Sequence, residues 1–248
     1  MVGSLLLRGM LVGLVAGLLA FAFAKVVGEP LVDQAIAFEE QLAQAAGEAP
    51  EPELVSRSTQ AGLGLLTGTL AYGASIGGLV ALVFAFAQGR VSAFGPRGTA
   101  ALIALAGFVA IVLVPQIKYP ANPPAVGSGE TIQARTELFF ILLGLSVAIA
   151  VASIGLARRL MVRHGGWNAW IAGGAAYVLV MGIAFSVLPS VNEVPETFSA
   201  VLLWNFRIAS LAMHAVLWTT IGLGFGVLAE RRLIRPASGR RLAALAIR

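Results

Sequence analysis

One ionisable residue stands in the middle of a long apolar run: His214, eight residues after Phe206. At 1.5 Å per residue it lies about 12 Å into the helix that this run forms. Arg207, Ser210, His214 and Trp218 recur at three- and four-residue spacings, so they line one face of that helix. An ionisable side chain inside a membrane helix is by default a candidate for an ion or proton pathway. Its imidazole is also a candidate metal ligand, with Ser210 and Arg207 on the approach to it. The plainer reading of the same residue is a neutral histidine bonded to a neighbouring helix.

Oxygen ligands cluster where apolar runs end. The loop from Lys118 to Ile132 reads KYPANPPAVGSGETI, and its prolines at 120, 123 and 124 leave carbonyls without helical partners. Asn122, Glu130 and those carbonyls could form a hard-oxygen cation site, or the loop could be a rigid plug over the helix ends. Glu29, Glu137 and Glu193 would have to neutralise the arginine stripe on any path for a divalent cation. His164, beside Gly165 and Gly166 in an Arg-rich stretch, reads as a solvated loop residue. No Ser/His/Asp order, HExxH or GxxxxGK[ST] occurs, so no enzyme is expected. With no Cys and two His, disulfides, thiolate metal sites and a His-rich metal trap are excluded, and no cofactor is expected.

The elements that must position these residues are membrane helices. Of the 248 residues 58% are hydrophobic and only 12% charged, half the share in a soluble domain, and the mean hydropathy is +0.88. Six runs approach the length that spans a bilayer: Gly9–Gly28, Ala61–Ala87, Gly98–Pro115, Thr136–Ala157, Ala169–Leu188 and Phe206–Ala229. The first also fits a signal peptide ending near Ala24, but its apolar stretch runs on into Gly28, so it is read as a span. Twelve of the 17 Lys and Arg fall in the gaps on one side of this scheme, and 11 of the 12 acids fall on the other. Cations mark the cytoplasmic side. The expected fold is therefore an all-α polytopic membrane protein with six transmembrane helices and both termini cytoplasmic, in the inner membrane of a bacterium. Residues 1–232 form the membrane domain and residues 233–248 a basic cytoplasmic tail. The net charge of +5 reports this orientation and gives no support to nucleic-acid binding.

The first outer loop, residues 29–60, holds seven acids. Leu31, Ala35, Phe38 and Leu42 share a stripe, which predicts a short interfacial helix after Pro30, followed by an extended connector over 48–53. Its acids read as a solvated face or as a weak funnel for cations. Gly9, Gly13 and Gly17 recur every four residues and predict close helix packing, as do Gly64/Gly68, Gly73/Gly77 and Gly222/Gly226. Pairing outward with inward runs suggests a three-hairpin repeat. Each outward run ends near a proline (Pro30, Pro120, Pro195), and each inward run begins near an arginine (Arg57, Arg135, Arg207).

Several ordered motifs carry a family resemblance. They are LLRGMLVGLVAG from Leu6 to Gly17, GEPLVD from Gly28 to Asp33 with Ala35, Ile36 and Phe38 to Glu40, and KYPANPPAVG from Lys118 to Gly127. Glu130 to Ile132, Arg135-Thr136 and LWNFR from Leu203 to Arg207 continue the series. On these residues the chain resembles the CbtA family of probable cobalt transporter subunits, nearly throughout to about Arg232. The resemblance implies a bacterial inner-membrane protein serving cobalt uptake, with a cobalt ion as transported substrate and a small one-span partner bearing a His-rich segment. It transfers no ligand set and leaves the oligomeric state open. Two rival functions remain: a structural subunit that stabilises its partner, and a transporter of an anionic or corrin-like substrate.

Overall fold

The computed structural model describes residues 2–47, 54–91 and 94–245, with side chains as far as Leu233. Glu48, Glu51, Glu53 and the expected connector lie outside the described residues, as do Arg248 and the side chains of Arg235, Arg240 and Arg241. In a hydrocarbon solvent each backbone N–H and C=O must be satisfied within the chain, which makes apolar runs helical. The elements are α1 (Val2–Phe23), α2 (Glu29–Ala46), α3 (Arg57–Thr59), α4 (Leu65–Ala87), α5 (Pro96–Gly107), α6 (Val114–Lys118), α7 (Ile132–Val187) and α8 (Ala200–Leu245). No strand occurs among the described residues. Among the described residues, five continuous helical stretches are long and apolar enough to cross a membrane: Val2–Ala46, Arg57–Ala87, Pro96–Lys118, Gly129–Val187 and Ala200–Leu233.

These stretches are continuous because π-helical turns at Ala24–Gly28, Gln60–Gly64 and Phe108–Leu113 join shorter helices end to end. Two of the three have a visible cause. Glu29 N–H bonds the Ala24 carbonyl and Val114 N–H bonds that of Val109, each five residues back, and each residue precedes a proline. A proline inside a helix has no N–H and its ring crowds the carbonyl four residues back, so the preceding turn widens. The helix expected after Pro30 is thus α2, which begins at Glu29 and continues α1. Its Leu31, Ala35 and Phe38 pack against Val126, Phe198 and Leu202, while Leu42 is exposed.

α7 is two helices in one. Gly165 has φ 75° and ψ 162°, outside helical geometry, a left-handed region open to glycine. The halves fold back on one another, since Gly173 packs on Ser153 and Ala157 while Met181 and Ala184 pack on Leu142. The expected loop around His164 is therefore helical up to a single-residue reversal at Gly165.

The helices sort into two compact units. The first comprises 1–30, 51–105 and 212–248. Its central contact is α1 on α4, and it is made of glycines. A Cβ on Gly9, Gly13 or Gly17 would collide with the carbonyl of Gly77, Gly73 or Thr69 respectively. α1 buries Leu5, Val12, Ala16 and Ala20 on the same stripe and leaves Leu7, Leu11, Leu14 and Leu18 exposed, the distribution that a lipid-facing surface requires. Gly222 and Gly226 likewise let α8 approach Ala104, Ala100 and Arg97 of α5. Gly68, by contrast, has nothing within 4 Å of its would-be Cβ.

The second unit comprises 31–50 and 106–211. Here the π-turn before Pro115 has a consequence. Val114 takes the Val109 carbonyl, so Pro115 would be the next donor, to Ala110, but it has no N–H. The fully buried Ser146 hydroxyl donates to the Ala110 carbonyl at 2.7 Å instead. That leaves Tyr177 as the donor in its 2.7 Å bond with Ser146 Oγ. Ser146→Ala should cost about 1–3 kcal/mol by orphaning a buried carbonyl. Ser186→Ala, which removes only a bond to its own helix at Gly182, should cost almost nothing. Unfolding of both variants in mixed micelles would measure the difference.

Candidate functional site

The second unit holds a cavity of about 590 Å³. Four segments form its wall: the proline loop, the first turns of α7, the segment 191–194, and Arg207 near the start of α8. The loop is rigid for local reasons. Pro123 and Val126 are buried, and Ala125 and Gly127 turn the chain with φ of 63° and 120°. Lys118 anchors its entry by donating to the Phe185 carbonyl at 3.0 Å and Ser190 Oγ at 3.1 Å. Tyr119 OH donates to the Pro189 carbonyl at 2.8 Å. Ser128 Oγ accepts from the Glu130 N–H at 3.2 Å and starts the short helical turn that leads into α7.

Three of the expected site residues meet in this cavity: Asn122, Glu193 and Arg207. Arg207 donates through Nη2 to Asn122 Oδ1 at 2.9 Å and through Nε to the Ala121 carbonyl at 3.4 Å. Glu193 Oε2 accepts the Ser128 N–H at 2.9 Å and lies 3.3 Å from Arg135 Nε. Arg135 also donates to the Ser128 carbonyl at 3.2 Å, and its guanidinium lies where a Cβ on residue 127 would project. The Thr131 hydroxyl, the Ser128 N–H and the Arg135 charge hold the Glu193 carboxyl below its ordinary value of 4.5. A carboxyl lowered by folding contributes stability above its ordinary value, and loses it as pH falls through the lowered one. Wild-type protein should therefore lose thermal stability on acidification over this window, and Glu193→Gln should lack that component. Melting curves of both proteins from neutral to acidic pH would decide it.

The other candidates do not line this cavity. Glu29 belongs to the first unit and is ion-paired with Arg57. Glu130 is exposed on its short turn, and Glu137 is exposed on α7, where it accepts from Gln133 at 2.9 Å. Ser210 is half-buried on α8 one turn beyond Arg207. His214 and Trp218 follow on the same helix but belong to the first unit. There the His214 ring stands edge-on to Tyr72, with centroids 5.7 Å apart. His214 Nδ1 and Trp218 Nε1 are both buried without a hydrogen-bond partner among the described residues. The hydrogen bond expected of a packing histidine is not made through Nδ1, and the contact that His214 does make is with the Tyr72 ring. The Gly9, Gly13 and Gly17 stripe packs as expected, against Gly77, Gly73 and Thr69.

Sequence reasoning passed over Arg135, Thr136, Asn192 and Phe139 as site residues, and all four line the cavity. Arg135 did carry a signal, since it was one of three arginines expected near outer turns. Each meets a turn, though without a common rule: Arg57 meets Glu29 of its own hairpin, Arg135 meets Glu193 as well as Ser128 of its own loop, and Arg207 meets Asn122.

No group of three His, Cys, Asp or Glu side chains is placed to hold a metal ion among the described residues. No curated protein and no solved structure matches the chain. A family model described as "Probable cobalt transporter subunit (CbtA)" matches residues 2–230. With its apolar crossing-length helices and nearly its whole length matched, the chain belongs to the CbtA family of probable cobalt transporter subunits.

Proposed function

We propose that this chain is the membrane subunit through which a bacterial cobalt uptake system moves divalent cobalt into the cytoplasm. The observation that carries the reading is the cavity, in a chain of this family, where Asn122, Glu193 and Arg207 converge. Seven residues beyond Arg207, α8 carries His214, whose unbonded Nδ1 is a lone-pair donor suited to a borderline cation. The two halves of α7 each cross the bilayer in this reading, which makes six crossings and leaves both termini in the cytoplasm with the cation-rich gaps. The membrane potential then favours inward movement of a dication.

The supply of metal ligands is thin, and the acids nearest the arginines are already paired with them. Imidazoles would come from a small one-span partner with a His-rich segment. The same pairing favours a second reading, in which this chain stabilises a partner that does the capturing.

Uptake of radiolabelled cobalt, in cells expressing the chain with and without its partner, tests the proposal. Accumulation above empty cells is expected, and none with either combination would sink it. Competition by nickel, phosphate or cobalamin identifies the substrate class. His214→Ala should lower uptake several-fold at unchanged membrane abundance; equal uptake would return His214 to packing against Tyr72.

A further inference from the structure

We infer that the cavity of the second unit receives cobalt as an anionic carboxylate chelate, with Arg207 and Asn122 holding a free carboxylate of the complex. The inference rests on the cobalt reading above and adds the chemical form in which the metal arrives.

The wall of the cavity carries more cations than acids. Arg135 and Arg207 face a single acid, Glu193. That acid is committed, because its Oε2 takes the Ser128 N–H and neighbours Arg135. Arg207 has only neutral partners, the Asn122 amide oxygen at 2.9 Å and the Ala121 carbonyl at 3.4 Å. Among the described residues no carboxylate pairs with it. A guanidinium offers five N–H donors in a fixed fork, so donors remain after these two bonds. With its oxygen turned to Arg207, the Asn122 amide NH₂ is a further donor beside them. Half-buried charges are normally compensated, and this one lines an open cavity. The missing counter-charge is supplied by the ligand.

An aquated Co²⁺ would be repelled by that surplus charge, and it is also too small. Six waters at ~30 Å³ each come to roughly 200 Å³, against a cavity of about 590 Å³. Cavities of about 300–1,000 Å³ suit small organic ligands. The walls match such a ligand in kind. Phe139, Val126 and Val194 offer apolar surface to a carbon skeleton, while Thr136 and Asn192 add polar contacts. Cobalt(II) accepts carboxylate ligands. A polycarboxylate that wraps the ion keeps a net negative charge and a spare carboxylate, which an arginine fork binds in bidentate geometry.

The test uses the full chain in lipid nanodiscs, titrated calorimetrically with cobalt chloride, citrate, the one-to-one cobalt–citrate complex and inorganic phosphate. Cobalt–citrate should bind saturably. Arg207→Gln should weaken it by roughly tenfold to a hundredfold. Asn122→Asp should weaken it comparably, because it places an internal carboxylate on Arg207. That variant keeps the guanidinium paired, so loss of binding cannot be assigned to misfolding. Cobalt chloride should show no dependence on either residue.

Unchanged cobalt–citrate binding in Asn122→Asp, or cobalt chloride binding that Arg207→Gln abolishes, would overturn the assignment. So would phosphate binding as tightly as the chelate, which would mark a general oxyanion site. Uptake separates this inference from the transport reading. Cells that import cobalt from citrate medium equally well with Asn122→Asp disprove the chelate site and leave transport standing. Residue-dependent chelate binding with no uptake disproves transport and leaves the site standing.

Discussion

Leucine in place of Gly13 is expected to remove nearly all folded protein from the membrane, whereas leucine in place of Gly68 leaves the level unchanged. The contrast isolates backbone contact from helix propensity, since both changes put the same side chain into an apolar helix. A Cβ at Gly13 would lie 2.7 Å from the Gly73 carbonyl carbon and against its oxygen, while one at Gly68 meets nothing within 4 Å. The obstructing atoms are backbone, so no rotamer change relieves the clash. The helices would have to separate, and Gly9 on Gly77 and Gly17 on Thr69 would separate with them. Lipid tails are as apolar as leucine, so close packing and weak Cα–H···O contacts hold this pair rather than any flight from water. Overpacking in cores costs about 1–3 kcal/mol even where side chains can adjust; here it falls on backbone, and the loss should exceed that range. Quantifying membrane-extracted, monodisperse protein for both variants checks it; equal yields would refute the glycine seam.

The second large effect is expected at the ion pair of Glu29 and Arg57. Arg57→Gln should destabilise the first unit by about 2 kcal/mol, and adding Glu29→Gln should recover part of the loss. Removing Arg57 strands the Glu29 carboxylate in a poorly solvated place, which costs more than the intact pair contributes. The estimate lies below the about 3–5 kcal/mol of fully buried pairs, because Arg57 keeps 28% and Glu29 13% of the side chain accessible. Removing both leaves no carboxylate stranded at position 29. The pair depends on the turn before it: the π-turn at Ala24–Gly28 shifts the phase of all that follows by about 100°, and so sets where Glu29 points. A double-mutant cycle on unfolding in mixed micelles would expose the coupling. Additive losses would show that the two side chains stand independently.

Much of the architecture was legible because hydropathy is a local property. The second apolar run, expected over Ala61–Ala87, ends at the same residue as α4. The seam of Gly9, Gly13 and Gly17 was readable because a four-residue spacing defines a helix face. Its partner was not. Gly64/Gly68 and Gly73/Gly77 have the same spacing, and only the second pair is in contact. The break in the fourth stretch was expected as a loop because Arg158, Arg159, Arg163 and His164 are polar. Arginine is nevertheless a good helix former, and the helix continues until Gly165 reverses it. The π-turns went unread, although Pro30 and Pro115 at the ends of apolar runs were the available signal.

The site divides in the same way. His214, Ser210 and Arg207 were placed on one face from spacing alone, and all three lie in α8. The polar residues of the helix ends were recognisable by type, but their partners were not. Three arginines and three turns admit several pairings, and sequence distance favours each arginine meeting its own hairpin. Arg57 does so, whereas Arg135 takes Glu193 and Arg207 takes Asn122. By itself the sequence determined which segments are helical and apolar, where charge accumulates, and which faces carry glycine or polar atoms. Each of these follows from residue type and a fixed helical period. Only the tertiary structure decided which carboxylate neutralises which guanidinium, and that Arg207 meets the neutral oxygens of Asn122 and Ala121. That depends on distances between side chains remote in sequence, and a shift of one residue at a π-turn is enough to change them.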